Sequence, residues 1–290
     1  MNSGMLVIDL KKYSLPGHIQ KARRNIRELL KAVDLIVELV DSRIPYTGRA
    51  FEEEALFLNK PRIIALSKSD LADEKALRTW LKFYEENEDV PFICVNFKDV
   101  DSVKRFKSFI FRILKNVRTR FKDKKMMVVG IPNVGKSSMI NALVGKKIAK
   151  IGNEPGITRG IQWVSVGKGL KLLDTPGILY KKVDHPVIHK KLCLVGSIKS
   201  FDDLDEVLEF GFQILKDRYE KLLIEYLRIE KTEISDIQYQ NFFEKLAKKR
   251  KFLKKGGFLD LERAKFSFLK DLIDGKIGRI IYELPEDVIV

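Results

Sequence analysis

The segment Gly130-Ile131-Pro132-Asn133-Val134-Gly135-Lys136-Ser137 has the spacing of a phosphate-binding loop, with two glycines followed by Lys and Ser. It follows the apolar run Met126–Gly130 and opens the helix-like run Ser138–Leu143, which is the strand–loop–helix context that the motif requires. Glycines let successive backbone N–H groups point at phosphate oxygens, and the helix N-terminus adds partial positive charge. The residues predicted to contact a nucleotide here are Asn133, Val134, Gly135, Lys136, Ser137 and Ser138.

Two further segments complete a predicted site for a Mg²⁺-bound nucleotide. Asp174-Thr175-Pro176-Gly177 follows the apolar run Leu170–Leu173, and Pro155-Gly156-Ile157-Thr158 lies between this motif and the phosphate loop. Hydroxyl and carboxylate oxygens beside a phosphate loop are usual ligands of Mg²⁺, and a backbone N–H can contact the γ-phosphate. The residues predicted to hold Mg²⁺ are Ser137, Thr158 and Asp174. Those predicted to act in phosphoryl transfer are Lys136, Thr158 and Gly177.

Ser67-Lys68-Ser69-Asp70 follows the apolar run Arg62–Leu66 and resembles the Asn-Lys-x-Asp signature of guanine-nucleotide proteins. A carboxylate accepts hydrogen bonds from the ring N–H and exocyclic amine of guanine, a donor pair that adenine lacks. The Ser in place of Asn at the first position predicts weaker nucleotide binding. The alternative is a Ser/Asp cap for the helix-like run Glu74–Tyr84. The residues predicted to contact the base are Lys68, Ser69, Asp70 and, after the next strand, Asn96.

Short apolar runs rich in β-branched residues alternate with helix-like segments in the first part of the chain, which is typical of a parallel sheet wrapped by helices. The predicted strands are Leu35–Val40, Arg62–Leu66, Phe92–Val95, Met126–Gly130, Ile161–Val166 and Leu170–Leu173. Gly167-Lys168-Gly169 joins the last two strands as a hairpin, so we expect this pair to be antiparallel and the other neighbours to be parallel.

From about Pro186 the apolar residues take helical spacing. The predicted helices there are Leu204–Leu215, Arg218–Ile229 and a segment from near Gly257 to Asp274. Gly275 is predicted to end this last helix. The chain is therefore predicted to combine an α/β P-loop NTPase domain with a mostly parallel six-stranded sheet (residues 1–183) and a small all-α domain (residues 184–290).

The composition of the 290-residue chain favours an anionic partner, because its formal net charge is +15. Residues 181–290 carry 22 basic and 20 acidic side chains, so the excess lies earlier, most densely at 104–125. A second basic cluster, at 245–255, is interleaved with apolar residues, and both clusters are predicted to contact RNA phosphates unless they are solvated helix faces. Two cysteines do not indicate a disulfide framework, no apolar run reaches the roughly 18 residues of a membrane span, and we expect no secretory signal.

The order of the motifs is unusual, because the base motif precedes the phosphate loop by about 60 residues. A sheet tolerates this order if the usual termini are joined and new ones open elsewhere. In this order, and in Pro16-Gly17-His18, Asp41-Ser42-Arg43-Ile44-Pro45 and Gly275-Lys276-Ile277-Gly278-Arg279, the chain resembles the YlqF/RbgA family of circularly permuted GTPases.

That resemblance implies binding of GTP and GDP, GTP hydrolysis, and a switch role in assembly of the large ribosomal subunit. It also implies a helical C-terminal domain that engages ribosomal RNA. We expect a cytoplasmic monomer that binds neither DNA nor a membrane.

Ile178 occupies the position at which many GTPases carry a Gln that orients the attacking water, so we expect slow intrinsic turnover that a partner accelerates. His18 is a candidate for orienting that water, and the alternative is a structural or RNA-contacting His. Asn133 is a candidate for helping to hold K⁺ beside the phosphates, and the alternative is an Asn that stabilises the loop.

Two other functions compete with the GTPase interpretation. Ile178 and Ser67 favour an RNA-binding module whose nucleotide site is structural or inactive, whereas the intact set of predicted Mg²⁺ ligands argues against it. An ATPase is disfavoured by Asp70, because adenine does not offer the donors that this carboxylate would accept.

Overall fold

A six-stranded sheet forms the centre of the described part of the chain, which in this computed structural model comprises residues 27–50, 57, 60–119, 123–145, 162–174, 185–199 and 203–288. The strands are β1 (Leu35–Asp41), β2 (Arg62–Ser67), β3 (Phe92–Val95), β4 (Lys124–Val129), β5 (Gln162–Gly167) and β6 (Leu170–Asp174). Their order across the sheet is β3-β2-β1-β4-β6-β5. The strands that precede the base motif and the phosphate loop, β2 and β4, therefore lie on either side of β1.

Neighbouring strands pair in parallel except for β5 and β6, which are antiparallel. β1 is buried along its whole length, as is typical of a parallel strand covered on both faces. In the hairpin between β5 and β6, Gly167, Lys168 and Gly169 all have positive φ. The predicted strands and their directions are confirmed, with ends that differ by one or two residues.

Helices cover the sheet and make up most of the C-terminal part. They are α1 (Glu74–Asn87), α2 (Val100–Lys115), α3 (Lys136–Val144), α4 (Pro186–Leu194), α5 (Leu204–Arg218), α6 (Glu220–Leu227), α7 (Tyr239–Arg250) and α8 (Leu261–Asp274). Asp73, Asp99, Asp203 and Asp260 cap α1, α2, α5 and α8 by accepting hydrogen bonds from backbone N–H groups of the first turn. The α/β fold class is confirmed.

Two C-terminal helices begin later than the sequence predicts. The run Arg218–Ile229 becomes α6 only at Glu220, because Tyr219 has φ −134° and ψ 37° and separates it from α5. The last helix, α8, begins at Leu261 instead of near Gly257, because Gly256 and Gly257 have positive φ and belong to a turn that precedes the helix. Gly275 ends α8 with φ 72°, as predicted.

The C-terminal helices share a hydrophobic core with the sheet. One continuous cluster of buried side chains includes Val128 of β4, Val134 of the phosphate loop, Leu192 of α4 and Phe212 of α5. The predicted division between residues 183 and 184 falls in segment 175–184, outside the described residues, and stays a prediction.

The segment after α8 returns to the N-terminal part of the chain. The backbone N–H of Ile280 donates to the carbonyl of Leu71 at 2.9 Å. The buried carboxylate of Glu283 accepts a hydrogen bond from the backbone N–H of Tyr46 at 2.7 Å and pairs with the ammonium of Lys191 at 2.8 Å. Among the described helices, none has the length and apolar character needed to cross a membrane.

Candidate nucleotide-binding site

The phosphate loop connects the end of β4 to the first turn of α3 in a conformation that needs its glycines. A Cβ atom at Gly130 would lie 2.5 Å from the carbonyl oxygen of Leu39 in β1, so the close approach of the two backbones requires glycine. Gly135, the N-cap of α3, has φ 99°, and Asn133 has φ 62°. The predicted strand–loop–helix context of this motif is therefore present.

Lys136 lies at the start of α3 and folds back over the loop. Its ammonium donates to the carbonyl oxygens of Gly130 and Ile131, each at 2.7 Å. Because these carbonyls come from the beginning of the loop and Lys136 from its end, the two bonds close the loop into a ring. The ammonium is thus placed within the phosphate loop that the sequence predicts.

Ser67, at the end of β2, joins the base motif to the phosphate loop. Its hydroxyl lies 2.6 Å from the carbonyl oxygen of Val134 and 3.0 Å from that of Val40, and the side chain is fully buried. The Ser that replaces Asn in the signature therefore still provides a polar contact to the loop. The weaker nucleotide binding expected from this replacement stays a prediction.

Asp70 lies in the 3-10 turn Ser69–Leu71, directly after β2. The alternative role of the motif as a helix cap is filled by Asp73, whose carboxylate accepts a hydrogen bond from the N–H of Ala76. Asp70 instead lies 3.5 Å from the ammonium of Lys98, and its side chain is about a quarter exposed (26%). A carboxylate in this position has acceptor oxygens accessible to a ligand at the edge of the sheet.

Lys68 contacts the buried ion pair that Asp41 forms with Arg43. Its ammonium lies 2.9 Å from Oδ2 of Asp41, at the end of β1, and Asp41 also binds the guanidinium of Arg43. Burial alone would raise the pKa of Asp41, but the charges and hydrogen bonds of Arg43 and Lys68 lower it well below its usual range. The Asp41 carboxylate is therefore charged at neutral pH, and it fixes the lysine of the base motif.

Asn96 takes part in a turn near the base motif. Its amide oxygen accepts a hydrogen bond from the N–H of Lys98 at 2.9 Å, and its own N–H donates to the hydroxyl of Ser102 at 2.9 Å. Because Lys98 also pairs with Asp70, this turn is adjacent to the predicted base contacts. The role of Asn96 in base binding stays a prediction.

Asn133 contacts the C-terminal part of the chain. Its amide nitrogen donates to the carbonyl oxygens of Val195 and Gly196, at 3.4 and 3.3 Å. The hydroxyl of Ser197 donates to the carbonyl oxygen of Pro132 at 2.9 Å. These contacts support the loop-stabilising alternative for Asn133, and the K⁺ hypothesis stays a prediction.

Several predicted site residues lie outside the described part of the chain: His18, Thr158, Gly177 and the neighbouring Ile178. The backbone of Asp174 ends β6, and the register of β4 and β6 places it level with Val128, two residues before the phosphate loop. Hydroxyl and carboxylate oxygens are usual ligands of Mg²⁺. Ser137, in the first turn of α3, and Asp174 are residues of these types at the edge of the sheet where the phosphate loop lies. In the described residues, no group of three or more His, Cys, Asp or Glu side chains could hold a metal ion.

Sequence reasoning did not assign a site role to Asp41 and Arg43. The signal was available, because a strand of seven buried residues ends in a charged residue and is followed two positions later by an arginine. A charge at the end of a fully buried strand needs a partner, which points to an ion pair. Which segment that pair would bind is not encoded in the local sequence.

A phosphate loop beside a base motif that precedes it in the chain defines a circularly permuted P-loop nucleotide-binding protein. Two family models match: one described as a 50S ribosome-binding GTPase over residues 125–245, and one as an RsgA GTPase over residues 55–183.

Relatives and solved structures match over nearly the whole chain. Ribosome biogenesis GTPase A of Thermotoga maritima is 38% identical over 94% of this chain and 94% of its own length. The Bacillus licheniformis protein of the same name is 36% identical over 94% and 98%. A GDP-bound structure of YlqF is 33% identical with a TM-score of 0.66, covering 91% of this chain and all of that one. The GNP-bound structure of T. maritima YlqF has 34% identity and the same TM-score, covering 92% and 100%. The chain belongs to the ribosome biogenesis GTPase A family, and it is a GTPase.

Proposed function

We propose that this GTPase acts as a nucleotide-dependent switch in assembly of the large ribosomal subunit and contacts ribosomal RNA. The names of the relatives and of the matching family model support this role. The observation that carries the nucleotide-dependent part of the proposal is the Ser67–Val134 hydrogen bond, which joins the base motif and the phosphate loop at one edge of the sheet. The C-terminal part contacts the same loop through Asn133, so nucleotide and partner can act on connected surfaces.

We assign the site residues by the chemistry that each offers. Lys136 would neutralise the β- and γ-phosphates, and Asp70 would accept the guanine donors. Mg²⁺, held by Ser137, Thr158 and Asp174, would supply further positive charge to the phosphates. The other residues assigned to the nucleotide are Lys68, Ser69, Asn96, Asn133, Val134, Gly135, Ser138 and Gly177. His18 is proposed to orient the attacking water, and Asn133 to help hold K⁺.

The C-terminal part offers a surface that suits RNA. In the turn before α8, Phe258 is 74% exposed and follows the exposed Lys254 and Lys255 at a distance of three or four residues. Aromatic rings that stack on unpaired bases, next to lysines that contact phosphates, are common elements of RNA recognition. We propose that this surface contacts ribosomal RNA, and that the protein acts as a cytoplasmic monomer divided near residue 183.

The test of the switch is GTP hydrolysis by the purified protein, with and without large ribosomal subunits. We expect slow turnover alone and stimulation by the subunits of one or more orders of magnitude, because a partner can complete a site that positions water poorly. Lys136→Ala provides the zero-activity control. Repeating the assay in Na⁺ instead of K⁺ tests the monovalent-cation hypothesis, since equal rates in the two salts would contradict it. Turnover that the subunits leave unchanged would contradict the ribosomal partner.

The RNA surface is tested by removing two exposed charges. Lys254→Ala combined with Lys255→Ala should weaken RNA binding and reduce its salt dependence, because fewer phosphate counterions are then released. Lys75→Ala combined with Lys82→Ala on α1 is the matched control, since it removes two exposed lysines elsewhere. Equal RNA affinity of the two double variants would refute the assignment of this surface.

A further inference from the structure

Arg43 joins the nucleotide edge of the sheet to the last helix of the chain. Its side chain is 1% exposed, and its Nε and Nη2 atoms donate to the two carboxylate oxygens of Asp41, each at 2.9 Å. Its Nη1 atom donates to the backbone carbonyl oxygens of Leu272 and Ile273, at 2.8 and 3.0 Å. Both carbonyls belong to the last turn of α8, where partial negative charge collects. The carbonyl of Leu272 also accepts a hydrogen bond from the N–H of Gly275 at 3.2 Å.

A guanidinium suits this place because its donors point in fixed directions toward several acceptors at once. Asp41, which it binds, also holds the ammonium of Lys68 at 2.9 Å. Lys68 has a left-handed backbone with φ 54°, an uncommon conformation for a residue other than glycine. A continuous series of charge-assisted hydrogen bonds therefore runs from the base motif through Asp41 and Arg43 to the end of α8.

The end of α8 also packs against Leu71, the residue that follows the base motif. A Cβ atom at Gly275, the residue that ends the helix, would lie 2.6 Å from the side chain of Leu71. Leu71 directly follows Asp70, and its carbonyl accepts a hydrogen bond from the N–H of Ile280. The carbonyl of Arg43 accepts one from the segment after the helix as well. The residue after the base motif and Arg43 thus both contact α8 or the segment that follows it.

We propose that Arg43 is a positioning residue that couples guanine-nucleotide binding to the docking of α8. The coupling rests on the proposed binding of guanine by Lys68 and Asp70. By linkage, loosening α8 weakens nucleotide binding, and nucleotide binding tightens the contacts of α8 by the same factor. The C-terminal part of the chain would then sense the nucleotide through the base as well as through the phosphates.

Two substitutions perturb this coupling, one at Arg43 after β1 and the other at the end of α8. Arg43→Lys keeps the positive charge but cannot serve the carboxylate and both carbonyls together. The added Cβ atom of Gly275→Ala would collide with the side chain of Leu71. This substitution changes no residue that is assigned to the nucleotide. Gly257→Ala is the matched control, because Gly257 also has positive φ (82°) but an added Cβ there would meet nothing within 4 Å.

The measurement is the Kd for GDP and for IDP, whose base lacks the exocyclic amine of guanine. We expect Arg43→Lys and Gly275→Ala to weaken GDP binding about tenfold, equivalent to about 1.4 kcal/mol. The ratio of GDP to IDP affinity should also fall, because the loss lies in the contacts to the base. Gly257→Ala should retain the wild-type values. A smaller fraction of folded protein would lower both affinities equally and leave their ratio unchanged.

Hydrogen exchange with and without GDP gives a second measurement of the coupling between nucleotide binding and the docking of α8. It tests this coupling even if Arg43→Lys does not fold. GDP should slow amide exchange at the end of α8 and in residues 276–283 of the wild type, and should do so less in Gly275→Ala. Wild-type affinity and an unchanged GDP-to-IDP ratio in the folded variants would overturn the coupling. A wild-type protein that does not bind GDP would instead overturn the proposed base site itself.

Discussion

The Ser67→Ala substitution removes the hydroxyl by which the base motif contacts the phosphate loop. This hydroxyl is buried and lies 2.6 Å from the carbonyl oxygen of Val134. A net hydrogen bond contributes about 1 kcal/mol, and a buried carbonyl left with a poorer partner adds to the loss, so we expect the free energy of unfolding to fall by about 1–2 kcal/mol. Urea denaturation measures this loss, provided that the m-value is unchanged.

The same bond should also affect nucleotide binding, because it holds the loop next to the base motif. If the full loss appears in binding, the Kd for GDP rises between about fivefold and about thirtyfold. Titration with a fluorescent GDP analogue measures this change. A variant that is less stable but binds GDP with wild-type affinity would refute the link between the bond and the loop.

Ser42→Ala is the control for Ser67→Ala. Ser42 directly follows the neighbouring strand β1 and is buried to the same degree, but its hydroxyl has no hydrogen-bond partner among the described residues. Removing it deletes the same atom without breaking a bond, so we expect unchanged or slightly higher stability and unchanged GDP affinity. Identical behaviour of the two variants would contradict the energetic role given to the Ser67 hydroxyl.

Two other predictions follow from the base motif and its ion pair. Asp70→Asn should weaken GDP binding and favour XDP, because an amide can donate a hydrogen bond to the 2-carbonyl of xanthine. Competition titrations with GDP and XDP measure this preference. An unchanged preference would show that Asp70 does not contact the base. Because the folded-state pKa of Asp41 lies below its usual value, the stability that this carboxylate contributes is present above about pH 4 and is lost as the pH falls further. Asp41→Asn should therefore flatten the acid limb of the stability–pH curve measured by urea denaturation, and an acid limb as steep as that of the wild type would contradict this role of the ion pair.

The sequence predicted the sheet well because its strands are encoded locally. β1 is apolar except for Glu38 and its last residue Asp41, and the strands that carry the motifs end where the turn or loop residues begin. Helix starts were less predictable: α8 begins at Leu261 because Asp260 caps it, whereas the glycines that precede the cap belong to a separate turn. Local composition does not distinguish a glycine inside a turn from one at a helix boundary.

Individual site residues were predicted by type, but their partners were not. Asp70 could be read as a base contact or as a helix cap, and only the structure shows that Asp73 is the cap. The contacts of Arg43 with Leu272 and Ile273 join residues more than 200 positions apart, so no local pattern contains them. Such pairs depend on how the chain packs over long distances, which a single sequence does not report.

The permuted order has a physical consequence for how the two parts of the chain communicate. The next described helix after β6 is α4, and Ser197 in the loop after α4 contacts the phosphate loop. The end of α8 contacts Arg43, and the segment after it contacts Leu71, the residue that follows the base motif. Because the C-terminal part contacts both the phosphate and the base elements, a change in either can alter its docking. Hydrogen bonds from both nucleotide elements thus reach the C-terminal part of the chain, which is the connection that the proposed switch requires.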